Sequence, residues 1–219
     1  GGIKKSAINL KLNMAVSPAK ENILKKIRQA LSNPVPLPFP HSEGTQTVFK
    51  TSKEDAAILF AEEFTNHHGR LAFWSGRNDL KMQVQQLLVE RNWTKIYFKE
   101  DKVASLFNTE SYNDLASCEI AVTGCECLVA RTGTIVMSTA QHSGRTTSVY
   151  APVHICIAYS NQVIPDIKDA LLFLKEKYSG NIPSLITFAS GPSRTADIEK
   201  TLVTGVHGPK EVYCFLVEV

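Results

Sequence analysis

The run Leu185-Ile186-Thr187-Phe188-Ala189-Ser190-Gly191-Pro192-Ser193-Arg194-Thr195-Ala196-Asp197-Ile198-Glu199 decides the fold class. Leu185–Phe188 reads as a short buried strand. Ser190–Ser193 reads as a loop, because Gly191 and Pro192 punctuate it, and a helix is expected from about Thr195 to Val203. The same alternation continues outward, with a strand Val153–Ala158 and a helix Pro165–Tyr178 upstream, and a strand Val212–Val217 downstream. Near-continuous apolar strands separated by helices belong to a sheet covered on both faces. The expected fold is α/β, a Rossmann-like three-layer arrangement.

Toward the N-terminus the pattern persists. Ser52 and Asp55 mark a capping box for a helix through Phe64, and Leu71–Trp74 follows as a strand. Asn78 is placed to cap a helix carrying Leu80, Val84, Leu87 and Leu88, and Ile96–Phe98 and Val103–Phe107 read as a strand and a short helix. Glu119–Val122, Cys127–Ala130 and Thr134–Met137 are separated only by turns, so they read as a hairpin section among the α/β units. Ser17 and Pro18 open an amphipathic helix with Ile23, Leu24, Ile27 and Leu31 on one face. Pro34, Pro36, Pro38 and Pro40 then impose an extended linker. Residues 1–40 therefore form an arm and 41–219 the domain.

With 43% hydrophobic residues in 219, the chain can bury one sizeable core. The net charge of +3 is uneven: the first 28 residues carry seven Lys/Arg against Glu21, which leaves the remainder acidic by three. An acidic body is a poor binder of phosphate backbones, so no nucleic-acid partner is expected. No run approaches the roughly 20 apolar residues of a membrane span, and Asn9, Lys11 and Asn13 interrupt the N-terminal apolar residues, so the expected compartment is cytoplasmic. The odd number of cysteines, five, without a C-x-x-C pair, fits that compartment.

Three loops carry candidate chemistry. In the first, Gly191 allows close backbone approach to a ligand, Ser193 caps the expected helix and Arg194 can pair with a carboxylate or phosphate. An ordinary strand-to-helix loop, with Asp197 and Glu199 complementing the helix dipole, has the same pattern. In the second, Gly205-Val206-His207-Gly208-Pro209, the glycines suit a helix C-cap and a turn, and His207 near a helix C-terminus would hold its proton as a general acid or a cationic anchor. In the third, Thr132-Gly133-Thr134, two hydroxyls flank a flexible backbone at a hairpin tip. Glu126 is a candidate acid, base or nucleophile, and His154 lies within an apolar strand. Cys118, Cys125 and Cys127 are too few and too unevenly spaced for a structural zinc site, and alternation places Cys125 and Cys127 on one strand face. No metal site is expected.

Taken in order, Ala130 with Thr132-Gly133-Thr134, Pro152-Val153-His154, Ser190 through Glu199 and Gly205 through Pro209 resemble the lactate-utilization (LUD) domain family, in its C-type branch. The resemblance implies a fold like that of the ribose-5-phosphate isomerase, glucosamine-6-phosphate deaminase and CoA-transferase superfamily. It implies a ligand site formed by Thr132, Gly133, Thr134, His154, Ser190, Gly191, Pro192, Ser193, Arg194, Asp197, Gly205, His207 and Gly208, with Glu126 and His207 as catalytic candidates and a small carboxylate or phosphate as ligand. It further implies a subunit supporting oxidation of L-lactate to pyruvate beside iron–sulfur partner proteins. This chain lacks the C-x₂-C-x₂-C-x₃-C-P run, so the clusters are expected on the partners and no cofactor on this chain. The fold relatives imply an alternative, a stand-alone isomerase- or CoA-transferase-like enzyme acting on a phosphorylated or carboxylated metabolite. Arg131 stands where the family commonly has an acid before Thr-Gly-Thr, so the acid's role is either lost or moved to Glu126.

Overall fold

The computed structural model describes residues 18–32, 55–198 and 201–219. Residues 1–50 and 51–219 form separate compact units. In the first, α1 (Pro18–Leu31) is the helix expected from the amphipathic spacing, and Ile23 and Ile27 are exposed on it. The capping residue Ser17 and the proline linker lie outside the described residues.

The second unit runs α2 (Ala56–Asn66), β1 (Arg70–Trp74), α3 (Arg77–Glu90), β2 (Ile96–Tyr97), α4 (Asp101–Ala104), β3 (Ile120–Thr123), β4 (Cys127–Val129), β5 (Thr134–Ser138), α5 (Thr147–Tyr150), β6 (Val153–Tyr159), β7 (Val163–Ile164), α6 (Ile167–Lys177), β8 (Ile186–Ala189), β9 (Arg194–Ile198), β10 (Thr201–Thr204) and β11 (Glu211–Val217). Five strands form an all-parallel sheet in the order β1-β11-β6-β3-β2. Side-chain alternation sends Val153, Ile155 and Ile157 of β6, with Tyr213, Phe215 and Val217 of β11, into a core closed by Leu80 and Val84 of α3 and Val103 of α4. Cys156 and Ala158, with Val212, Cys214 and Leu216, point the other way. There they meet Leu128, Ile135 and Met137 of a second sheet, ordered β7-β4-β5-β8, and Phe60 and Phe64 of α2. The far side of that sheet buries Cys127, Val129 and Val136 under Ala170 and Leu174 of α6. The Rossmann-like α/β class therefore holds, with a second sheet inserted between the parallel sheet and α6.

Several local expectations are corrected. Residues from Thr195 to Val203 are no helix: β9 and β10 pair antiparallel as a separate two-stranded ribbon. Thr195, Ile198, Thr201, Val203 and Thr204 are β-branched, and that stiffness outweighs a spacing that also fits a helical period. Glu119–Val122 joins no hairpin, because β3 is fully buried between β6 and β2 in the parallel sheet; the hairpin is β4–β5 alone. The strand expected at Leu185–Phe188 is β8, placed beside β5 in the second sheet and antiparallel to it. Cys125 and Cys127 do not share a face: β4 begins only at Cys127, and the two thiols belong to different cores. Asp55 is itself the N-cap of α2, accepting from the Ala57 N–H at 2.8 Å, and Asn78 lies inside α3, whose N-cap is Gly76. No helix among the described residues is long and apolar enough to cross a membrane.

Gly133 explains how α2 seats. Its φ of +52° lies in the left-handed region, and a Cβ there would collide with the backbone nitrogen of Phe64, whose ring is fully buried. Gly133→Ala combines left-handed strain of about 1–2 kcal/mol with overpacking of about 1–3 kcal/mol. The expected outcome is a loss of about 3 kcal/mol in urea unfolding; an unchanged midpoint would show that α2 does not need this approach.

Candidate functional site

Chain segments leaving the carboxyl ends of β2, β3 and β6 enclose a pocket of about 410 Å³. In parallel α/β sheets this is the end where ligands collect, because strand ends and loop backbones diverge there. The turn after β2 contributes Glu100, Asp101 and Lys102; the turn after β3 contributes Gly124, Cys125 and Glu126. Gln141 and His142 follow β5, Tyr159 ends β6, Gln162 follows it, and Lys177 and Tyr178 close the C-terminus of α6.

Glu126 is the buried charge of this pocket, with 2% of its surface exposed. Three donors hold it: Ser138 Oγ and Tyr178 OH at 2.5 and 2.7 Å on Oε1, and Lys177 Nζ at 2.6 Å on Oε2. Burial pushes the carboxyl upward, but hydrogen bonds from Lys177, Ser138 and Tyr178 outweigh it and hold it below the usual carboxylate range. For Lys177 the opposing terms are also burial, which lowers, and Glu126, which raises; the ammonium is favoured. The Tyr178 phenol is pushed up by burial and by Glu126. Glu126 is thus an ionised anchor rather than a free base or nucleophile, and it fixes Lys177 and Tyr178 at the pocket wall.

The rest of the wall is similarly tied. Ser138 Oγ also accepts from Ala140 N, and its backbone N–H donates to Gln141 Oε1 at 2.9 Å. Gln162 donates to the Cys125 carbonyl and accepts from Tyr159 N. Glu100 accepts from Gly124 N at 3.1 Å, and a Cβ on Gly124 would come within 2.9 Å of its other oxygen. A side chain at position 124 would therefore displace the flexible end of Glu100 from this position.

The residues expected to bind ligand lie elsewhere, at the amino ends of β6 and β11. Thr134 Oγ1 bridges Thr132 Oγ1 and Ser190 Oγ at 2.8 and 2.7 Å, so the hairpin tip does touch the Ser190 loop. Gly191, at φ +149°, lies against the carbonyl of His67, which also accepts from Arg194. Ser193 N–H donates to the Pro209 carbonyl and Gly205 N–H to the Ser193 carbonyl, which joins the first and second loops. A cavity of about 160 Å³ results, bordered by His154, Gly191, Ser193, His207 and Gly208 but not by Thr132, Gly133, Thr134, Ser190, Pro192, Arg194 or Gly205; the Asp197 side chain lies outside those described. The anion rationale fails here, because β9 replaces the helix whose N-terminus was to supply it, and His207 follows a strand and is exposed rather than capping a helix. His154 is buried, shares a 2.8 Å hydrogen bond with Thr123, and has its pKa lowered to about 4 by desolvation.

Arg131 pairs through two nitrogens with Asp166 at 2.5 and 3.0 Å, holding the end of η-turned residues 130–132 to the start of α6. No group of three His, Cys, Asp or Glu among the described residues can hold a metal ion. All five thiols are buried, and burial pushes Cys127 up to about 12. Lys177, Tyr178, Ser138, Gln141 and Glu100 were not singled out by sequence, since nothing local marks them; Lys177 reaches Glu126 across 51 residues.

A family model described as LUD domain matches residues 42–217. Among curated relatives, lactate utilization protein C of Bacillus licheniformis is 34% identical over 111 residues, covering 50% of this chain and 46% of that protein. The Bacillus subtilis protein of the same name is 30% identical over 110 residues, 49% of this chain and 46% of its own length. These alignments span about half the length of the curated relatives. A crystal structure of a DUF162 family protein from Deinococcus radiodurans, 16% identical, superposes with a TM-score of 0.58 over 77% of this chain and 99% of that one, which establishes the likeness of fold.

Two outcomes test this electrostatic picture. Lys177→Met leaves the buried Glu126 without its counter-charge, so the variant should lose about 2 kcal/mol at pH 7, below the range for a fully buried pair because Lys177 is partly exposed. Wild-type Glu126, with its lowered pKa, stabilises the fold above the ordinary carboxylate range and loses that contribution as pH falls through its folded pKa. The variant's deficit should therefore shrink toward pH 4 in urea unfolding, and a deficit independent of pH would contradict the assignment. For His154 the unfolded chain binds the proton first, so stability should fall by about 3 kcal/mol as pH drops from 6.5 toward 4. His154→Gln should flatten that slope, measured against wild type.

Proposed function

The chain belongs to the LUD domain family, and from that premise we propose that it is a lactate-utilization subunit supporting oxidation of L-lactate to pyruvate together with iron–sulfur partner proteins. The observation that carries the reading is the pocket at the carboxyl ends of the parallel strands, where the ion pair of Glu126 and Lys177 presents an ammonium to a space the size of a small metabolite. A 2-hydroxy acid needs a cation for its carboxylate and a polar partner for its hydroxyl. Lys177 and Lys102 supply the first, and Tyr178 and Gln141 the second. Lys177 has three donors, of which Glu126 takes one, and its side chain is 43% exposed. Glu126 keeps the ammonium charged and aimed, which is a positioning role.

In this reading the chain binds and orients the acid, and the electrons pass to clusters held by the partners, since this chain lacks the C-x₂-C-x₂-C-x₃-C-P run that holds such clusters. Deleting the gene should abolish growth on L-lactate as sole carbon source while growth on pyruvate persists, and the chain should co-purify with iron–sulfur proteins. Calorimetric titration of the purified chain with L-lactate should show saturable binding, weakened by about 10–100-fold in Lys177→Met, the range for one charge-assisted hydrogen bond. Undiminished growth of the deletion strain on L-lactate would reject the role, and turnover of a substrate by the isolated chain would replace it with a stand-alone enzyme.

A further inference from the structure

We infer that the 160 Å³ cavity at the amino ends of β6 and β11 is a second binding site, for a small uncharged polyol, separate from the charged pocket at the opposite end of the sheet. Its floor is His154, 1% exposed, with one ring nitrogen shared with Thr123. The other ring nitrogen has no hydrogen-bond partner among the described residues. Trp74 Nε1 is the only side-chain nitrogen or oxygen among the described residues that is both fully buried and unpaired, so the free nitrogen of His154, which lines the cavity, opens onto it. Above it stand three hydroxyls, from Ser148, Thr187 and Ser193, which also have no side-chain partner among the described residues.

A buried polar group in a folded protein is paired as a rule, so the unpaired ring nitrogen of His154, with the partly exposed hydroxyls of Ser148, Thr187 and Ser193 lining the same cavity, marks where a ligand completes the bonding. The chemistry of that ligand follows from what the lining lacks. Among the described residues no Asp, Glu, Lys or Arg borders the cavity, and the remaining titratable group is His207 at the exposed rim. The imidazole on the floor is neutral above pH about 4. A neutral imidazole offers one donor and one acceptor, and each hydroxyl can act as either, so the matching groups are hydroxyls. An anion on the His154 floor would meet no Lys or Arg among the described lining residues. The cavity holds about five water-sized groups, which limits the ligand to three or four carbons with their oxygens. The walls are already set: Ser193 is locked to Gly205 and Pro209 through backbone hydrogen bonds, and Gly208 lies so close that a Cβ would come within 3.0 Å of the Ser193 side chain.

The test uses the full chain with glycerol, L-lactate and inorganic phosphate as probes, following the ¹⁵N resonances of the His154 ring. Glycerol should shift them saturably, and neither L-lactate nor phosphate should compete. Ser193→Val and Thr187→Val, both at partly exposed positions, should each weaken the glycerol response at least tenfold while leaving the unfolding midpoint near wild type. A saturable His154 shift with phosphate or L-lactate would overturn the assignment in favour of an anion site. Absence of any shift with glycerol up to molar concentration would overturn it by leaving the cavity to water. Binding of L-lactate in the carboxyl-end pocket is read separately through Lys177→Met, so failure of one site is distinguishable from failure of the other.

Discussion

Strands β6 and β11 carry apolar side chains on both faces, and that constraint organises everything around them. A strand with one apolar face needs one covering layer; these need two. On one face α3 and α4 serve. On the other, the chain uses its own crossovers: the segment from β3 to β6 contains β4, β5 and α5, and the segment from β6 to β11 contains β7, α6 and β8. The second sheet is therefore assembled from the connections of the first. Each fully buried Val, Leu, Ile or Phe stabilises by about 1.5–3 kcal/mol, so the inter-sheet layer with Phe60, Phe64, Leu128, Ile135 and Leu216 outweighs the strain of a left-handed Gly133 that lets α2 dock.

The same insertion creates the charged pocket. Glu126 sits on the bend where the chain leaves the parallel sheet for the second one, and α6 returns over that sheet to end beside it at Lys177 and Tyr178. Isolating a carboxylate from water costs several kcal/mol unless it is paired and hydrogen-bonded. Three donors from β5 and α6 meet that requirement, so the packing of the two sheets and the ionisation of the pocket depend on each other. Slippage of α6 by one turn, about 5.4 Å, would remove two of the three donors at once.

Legibility in the sequence followed range. The parallel strands were readable as strands because a near-continuous apolar run such as Val153–Ala158, broken only by His154, reports burial on both faces locally. The ribbon at 194–204 was not, because apolar residues at Ile198, Leu202 and Val203 satisfy a helical period, and β-branching, the stronger cue here, was subordinate in that reading. Thr132-Gly133-Thr134 was legible as special, but the demand that Gly133 meets, the close approach of the Phe64 backbone, comes from a helix about 70 residues away in the chain and was not. Glu126 was visible as an isolated acid, yet its partners Ser138, Lys177 and Tyr178 stand 12, 51 and 52 residues away, and only the topology joins them.

The two ends of the sheet thus differ in kind. At the carboxyl ends the strands diverge into turns bearing Glu100, Asp101 and Lys102, which with Lys177 keep contact with solvent on one side, so an ionic ligand can exchange water for ammonium groups. At the amino ends the incoming segments converge, Pro209 and Val212 are buried, and the polar groups left inside are a neutral histidine and hydroxyls. The difference arises from desolvation: the environment that lowers the His154 pKa to about 4 would also exclude an unpaired anion from the same space. Charge selection is therefore a consequence of where along the strands each cavity forms, and it separates the two sites without any residue serving both.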